Sequence, residues 1–231
     1  MSVASLERRS GAEAVASLHR GLHRHGLGGS IRLALALLAR LVYLEEWHIW
    51  YRLDVGRTCS GIELPPGMEI IRAKDEDLAL LAELPTVGLR EARRRLAAGA
   101  DPWLVRDAAR AVFACWIFAK RMPVLAACGG WLALPRGMVG LEDSVTSPSY
   151  RGLGIAPAAW SAVASALATE GVGAILTKVE GANLPTRRAV EKAGFRAVAA
   201  TRLRRVGGRS RVDVQLHGAS DAAFLAARLA R

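Results

Sequence analysis

The order of periodic segments constrains this chain most. Period-two or short apolar, β-branched runs mark strands at 47–55, 68–73, 103–107, 111–119, 140–147 and 173–180. A further run, 124–134, reads as one strand with a break at Gly129-Gly130, and 195–206 with 209–216 reads as a hairpin about Gly207-Gly208. Helical patterns fall at 31–46, 74–84, 89–98, 155–170 and 184–193, with a helical tail from Ser220. Gly99, Gly171 and Gly194 stand just past three of them, where a left-handed residue ends a helix. Helices set between strands, with hairpins elsewhere, predict an α/β fold: a mixed, mainly antiparallel sheet flanked by helices.

The predicted organisation has three parts. Residues 1–55 form a basic arm, an apolar helix and a strand; 56–216 form the main domain; 217–231 form the tail. In the arm, His19, His23 and His25 lie among arginines without a nearby carboxylate or thiolate, so a solvated basic segment is expected and no metal site. The helix at 31–46 is apolar around most of its circumference. It needs cover from the domain, a second subunit or a membrane surface, which leaves a homodimer and peripheral membrane contact open. Its apolar run, 31–44, is broken by Arg32 and Arg40 and is shorter than the ~20 residues of a spanning helix.

With 52% apolar residues the chain is of globular type. Its net charge of +11 favours an anionic partner without choosing among a phosphate-rich cofactor, an acidic protein, a membrane and nucleic acid. Specific nucleic-acid recognition is not expected, since basic and aromatic residues are not interleaved on a recognition element. Cys59, Cys115 and Cys128 lack ligand spacing and cannot all pair, and no signal peptide is evident, so a reducing, cytoplasmic setting is expected.

The segment "SPSYRGLGIAPAAW" (147–160) places two glycines where a helix must begin. Such a helix end presents unpaired N–H groups and the positive end of its dipole. Gly152 and Gly154 would let an anion approach those amides, and Arg151 adds a fork of donors. A plain tight turn competes with this reading. The segment is neither a P-loop, lacking Gly-Lys-Ser/Thr, nor a dinucleotide fingerprint, lacking the third glycine and the acidic residue.

The flanks favour a phosphate. "SVTSPSYRGLGIA" resembles the acyl-CoA signature of the GNAT N-acetyltransferase superfamily, a strand, a proline and Arg-x-x-Gly-x-Gly/Ala, carried by Arg151, Gly154 and Ala156. "NLPTRRAVEKAGF" resembles its second element, carried by Asn183, Glu191, Lys192, Gly194 and Phe195. The likeness covers roughly residues 67–216. It implies acyl-CoA, most simply acetyl-CoA, as co-substrate and no metal. The amides of Gly152, Leu153, Gly154, Ile155 and Ala156 would cradle the pyrophosphate, with Arg151 beside them. The strand end at Val145 and Thr146 would splay to receive the pantetheine and acyl carbonyl; Asn183 would bond the pantetheine, and Arg187 belongs to the same cofactor-binding element.

The implied activity is acyl transfer from a CoA thioester to a primary amine of a small molecule, peptide or amino sugar, by direct attack. The candidate bases are Glu142, Asp143 and Glu180. On a regular strand Glu142 and Asp143 face opposite ways, so only one would enter the cleft. One position departs from the pattern: many members have a tyrosine just before the Glu-Lys pair to protonate the thiolate, and here stands Val190. This keeps open a catalytically idle acyl-CoA-binding module, while the apolar 31–46 segment, as a roof over the acyl pocket, keeps open an enzyme for longer acyl donors.

Overall fold

The computed structural model describes residues 43–56, 61–85, 88–125, 129–207, 209–218 and 222–229. The histidine-bearing arm, most of the apolar 31–46 segment, Cys59 and Cys128 lie outside them. Ten strands are described: β1 Tyr43–Asp54, β2 Met68–Arg72, β3 Ala100–Asp107, β4 Arg110–Phe118, β5 Arg121–Leu125, β6 Gly129–Ala133, β7 Met138–Thr146, β8 Ala174–Glu180, β9 Arg196–Val206 and β10 Arg209–Leu216. The helices are α1 Leu78–Leu81, α2 Leu89–Ala97, α3 Ile155–Thr169, α4 Leu184–Lys192 and α5 Ala223–Leu229.

Eight strands form one sheet in the order β10-β9-β1-β8-β7-β4-β3-β2. Every pairing in it is antiparallel except β7 with β8, which α3 connects. The expected mixed, mainly antiparallel sheet with helices on its faces is what the chain forms. Along each strand alternate residues supply two cores. One, around Trp50, Leu104, Trp116 and Leu176, packs against Leu78, Leu81 and Ala92 of α1 and α2. The other, around Tyr51, Phe113, Leu141 and Ile175, packs against Ile155, Trp160 and Val163 of α3 and Val190 of α4. We call these the α1–α2 face and the α3–α4 face.

Three local expectations are corrected. Residues 43–46, read as the end of a helix, are the start of β1, because Leu44 turns inward onto Leu203 of β9 and the backbone pairs with 203–206. Pairing with a neighbouring strand here overrides helix propensity. The 124–134 run is not one broken strand. Gly129 and Gly130 begin β6, and β5 and β6 pair with each other as a separate hairpin, Met122 opposite Leu132. The 74–84 helix is reduced to a 3-10 turn, Asp75–Asp77, and the single turn α1.

The position of β1 is the main topological finding. It lies between β8 and β9, with Trp50 opposite Lys178 on one side and Ala199 on the other. Trp50 is fully buried, and its Nε1 donates to Thr201 Oγ1 at 2.9 Å. The β5–β6 hairpin covers the α1–α2 face of β7: a Cβ built on Gly140 would stand 2.7 Å from Met122 Cβ, so only glycine lets the two layers meet.

Candidate active site

Between β7 and β8 the ladder runs from Met138–Ala174 to Leu141–Thr177 and goes no further, although β7 continues to Thr146 and β8 to Glu180. The two strands therefore open into a fork. On its other side β7 has one residue more than β4, since Ala114 pairs with Val145 but Trp116 with Glu142. The extra residue is absorbed at a bulge where Asp143 takes φ +50°. A bulge re-aims side chains, and the expectation of opposite-facing carboxylates is overturned for that reason. Asp143 bonds Arg95 at 2.5 Å, and that guanidinium lies over Trp116, the cross-strand neighbour of Glu142. Both carboxylates thus reach the α1–α2 face.

Glu142 and Lys178 are the first residues beyond the ladder on their strands. They meet across the fork, Lys178 Nζ donating to Glu142 Oε2 at 2.6 Å, with side chains only 10% and 9% exposed. The ammonium also donates to Pro123 O at 3.1 Å and lies 5.9 Å from the Trp50 ring centroid. Burial lifts the Glu142 carboxyl from 4.5 to about 7, against the pull of the Lys178 charge. Its second oxygen, Oε1, is buried without a hydrogen-bond partner.

His48, absent from the sequence-based candidates, enters this face from β1. It stands opposite Glu180 and diagonal to Lys178. Burial, then the Lys178 charge, pushes its pKa from 6.5 down to about 4, and Nδ1 is buried without a partner. The imidazole is neutral in the native state, whereas the unfolded chain takes up its proton near pH 6.5. Its contribution to stability is therefore complete above 6.5 and is lost as the pH falls toward about 4. Urea midpoints followed through that interval should fall less steeply for His48→Gln than for the parent. Parallel curves would show that His48 charges as readily folded as unfolded.

The other predicted residues divide by location. Glu180 is exposed and lines a cleft of about 740 Å³ with Trp47, Ala182 and Arg202; it does not join Glu142. Val145 is buried and Thr146 half-buried at the end of β7, and Thr146 O accepts from Arg151 Nε at 3.4 Å. Gly152 and Gly154 take φ of +84° and +76°, and a Cβ on either would meet no protein atom within 4 Å. Gly154 caps α3 with no side-chain bond, so the amides of Ile155 and Ala156 begin a 15-residue helix beside open space; Leu153 is exposed. Asn183 caps α4, its Oδ1 accepting from Thr186 N at 3.2 Å, and its side chain is exposed. Arg187 is held inward by Tyr51 Oη at 3.2 Å and Gly181 O at 3.1 Å.

The thiolate's expected proton donor has no local substitute on α4. Val190 is 1% exposed and apolar. Tyr51 donates its hydroxyl hydrogen to Glu191 at 3.0 Å and Tyr150 donates to Asp107 at 2.8 Å. Among the described residues no cluster of His, Cys, Asp or Glu could hold a metal, and no helix is long and apolar enough to cross a membrane. Cys115 is buried, and burial raises its thiol pKa.

Solved structures share this architecture at low identity. A GCN5-related N-acetyltransferase from Sphaerobacter thermophilus aligns with TM-score 0.52 and 15% identity, covering 82% of this chain and 58% of its own. A tandem GNAT protein from the clavulanic acid biosynthesis pathway aligns with TM-score 0.52 and 14% identity over 86% of this chain and 73% of its own. A Drosophila protein aligns with TM-score 0.50 and 15% identity over 83% and 58%. The chain thus spans under two thirds of the length of two of these structures. No curated protein matches it. The sequence model of the acetyltransferase (GNAT) family matches residues 80–195, half of the chain, and that stretch holds the bulged β7, the glycine loop, α3, the fork and α4. By that match and this fold, the chain belongs to the GNAT acetyltransferase family.

Proposed function

We propose that this protein is an acyl-CoA-dependent N-acyltransferase that moves an acyl group, most simply acetyl, to a primary amine by direct attack. The observation that carries the reading is the fork between β7 and β8, opening beside an uncapped helix start with two left-handed glycines. The pyrophosphate would rest on the amides of 152–156, where the dipole of α3 and the absent Cβ atoms favour an anion. The pantetheine would follow the unpaired edge of β7 past Val145 and Thr146, placing the thioester in the fork. There Glu142, lifted toward neutrality by burial, is the group suited to take a proton from an incoming ammonium near pH 7 and so free the neutral amine that attacks.

Titration calorimetry with CoA and acetyl-CoA tests the cofactor placement. Gly154→Asp puts a carboxylate against the pyrophosphate and should weaken both ligands at least tenfold, on the order of 1.4 kcal/mol or more. Circular dichroism should show the fold retained: the added Cβ meets open space, and the left-handed backbone at φ +76°, which aspartate tolerates better than most residues, costs on the order of 1 kcal/mol. Unchanged affinity in the variant would place the phosphate elsewhere. Turnover with an amine panel separates an enzyme from an idle acyl-CoA-binding module, a reading that Val190 keeps in view.

A further inference from the structure

A primary amine already stands where an acceptor must stand. Lys178 Nζ is bonded to the candidate base at 2.6 Å, in the fork, at the first position beyond the ladder. Pro123 O holds it from the hairpin side at 3.1 Å, and Met122, itself fully buried, seals that hairpin onto Gly140. An external amine would have to displace Lys178 to reach Glu142 Oε2. We propose that Lys178 is the enzyme's own acyl acceptor: the chain acylates this side chain from bound acyl-CoA.

The residue type supports this. Of 32 Lys and Arg residues only four are lysine: Lys74, Lys120, Lys178 and Lys192. Three are exposed, and the one in the fork has a side chain only 9% exposed. An arginine there would serve a merely structural ion pair better, through its two-pronged geometry, but it stays protonated and cannot attack a carbonyl. A lysine that hands its proton to a neighbouring carboxylate can. The raised pKa of Glu142 lets that carboxylate hold the proton near neutral pH.

The step balances within the site. One proton passes from the Lys178 ammonium to Glu142 Oε2, leaving a neutral amine. Nζ attacks the thioester carbonyl carbon, the N–C bond forms and the C–S bond breaks. The sulfur leaves with the bonding pair and takes the second amine proton. The products are an acyl-lysine, CoA as its free thiol and a protonated Glu142. The ion pair is then gone, and Glu142 is left without its cationic partner.

The proposal rests on acyl-CoA occupying the fork, so binding and modification are measured together. Full-length protein is titrated with acetyl-CoA by calorimetry. It is then incubated with acetyl-CoA and digested, and the acyl group is mapped on all four lysines over time. The expected result is one acetyl group on Lys178, acquired at a rate independent of protein concentration and faster than on Lys74, Lys120 or Lys192. Glu142→Gln should slow it by roughly 100-fold or more with binding retained. Lys178→Arg should bind acetyl-CoA while its exposed lysines gain label at the unchanged slow rate. Binding with Lys178 unmodified would overturn the proposal and leave the acyltransferase reading standing. So would Lys178 labelling as slowly as the exposed lysines or equally in Glu142→Gln. Absence of binding would overturn the cofactor reading and the proposal with it.

Discussion

Replacing Glu142 by glutamine is expected to lower the rate of acyl transfer by ~10²–10⁴-fold while leaving affinity for CoA within about twofold. The variant keeps an oxygen for Lys178, so the 2.6 Å contact can survive, but it cannot carry the proton. The pH profile gives a sharper readout than the rate alone. A carboxyl lifted from 4.5 to about 7 is protonated, and useless as a base, below that range. The parent rate should climb roughly tenfold per pH unit on the acid side and level off above about pH 7. Glutamine should remove that limb. A variant with parent-like rate and profile would shift the role to Asp143 or Glu180. Asp143 is the less suited of the two, since Arg95 already engages its carboxylate in an ion pair at 2.5 Å.

The second large effect lies in β1. Trp50→Ala is expected to destabilise the fold by about 3–5 kcal/mol, the range for emptying a fully buried aromatic site. The loss has two parts. A cavity opens between β8 and β9, where alternative packing is limited by Lys178 on one side and Ala199 on the other. The buried Thr201 hydroxyl also loses the indole donor at 2.9 Å. At ~2–4 °C per kcal/mol for a chain of this size, thermal unfolding should drop by on the order of 10 °C. Trp47, three residues earlier, is 48% exposed and on the other face, and its alanine variant should cost under about 1 kcal/mol. Similar small losses for both would contradict an interior position for β1. Deleting residues through 54 removes a strand paired on both sides, so an insoluble product is expected rather than a trimmed enzyme.

What was legible in the sequence was local. Strand, proline, glycines and an alanine-rich helix succeed one another within residues 140–170, and backbone sterics at Gly152 and Gly154 suffice to place the turn. The hairpin at 195–216 was readable for the same reason: alternation on either side of a glycine turn sets its own register. Alternation failed where a neighbour intervened. At Asp143 a bulge set by pairing with β4 turned both carboxylates to one face, and no pattern within "LEDSVT" announces it. The 124–134 run carried Gly129-Gly130 in plain view, but these residues begin β6, and only packing of Met122 on Gly140 distinguishes a covering hairpin from an interrupted strand.

The sequence by itself determined the fold class and the glycine turn that opens α3, because both follow from contacts between residues close along the chain. The tertiary structure alone decided that β1 crosses to the middle of the sheet, where Trp50 meets Lys178, 128 positions away, and Ala199, further still. It alone joined Glu142 to Lys178, 36 residues apart, and brought His48 to the same face. A carboxylate, an ammonium and an imidazole spread over three strands share no spacing that a linear reading could detect. Their proximity comes from strand order and register, which are settled by burial of whole faces rather than by any one segment.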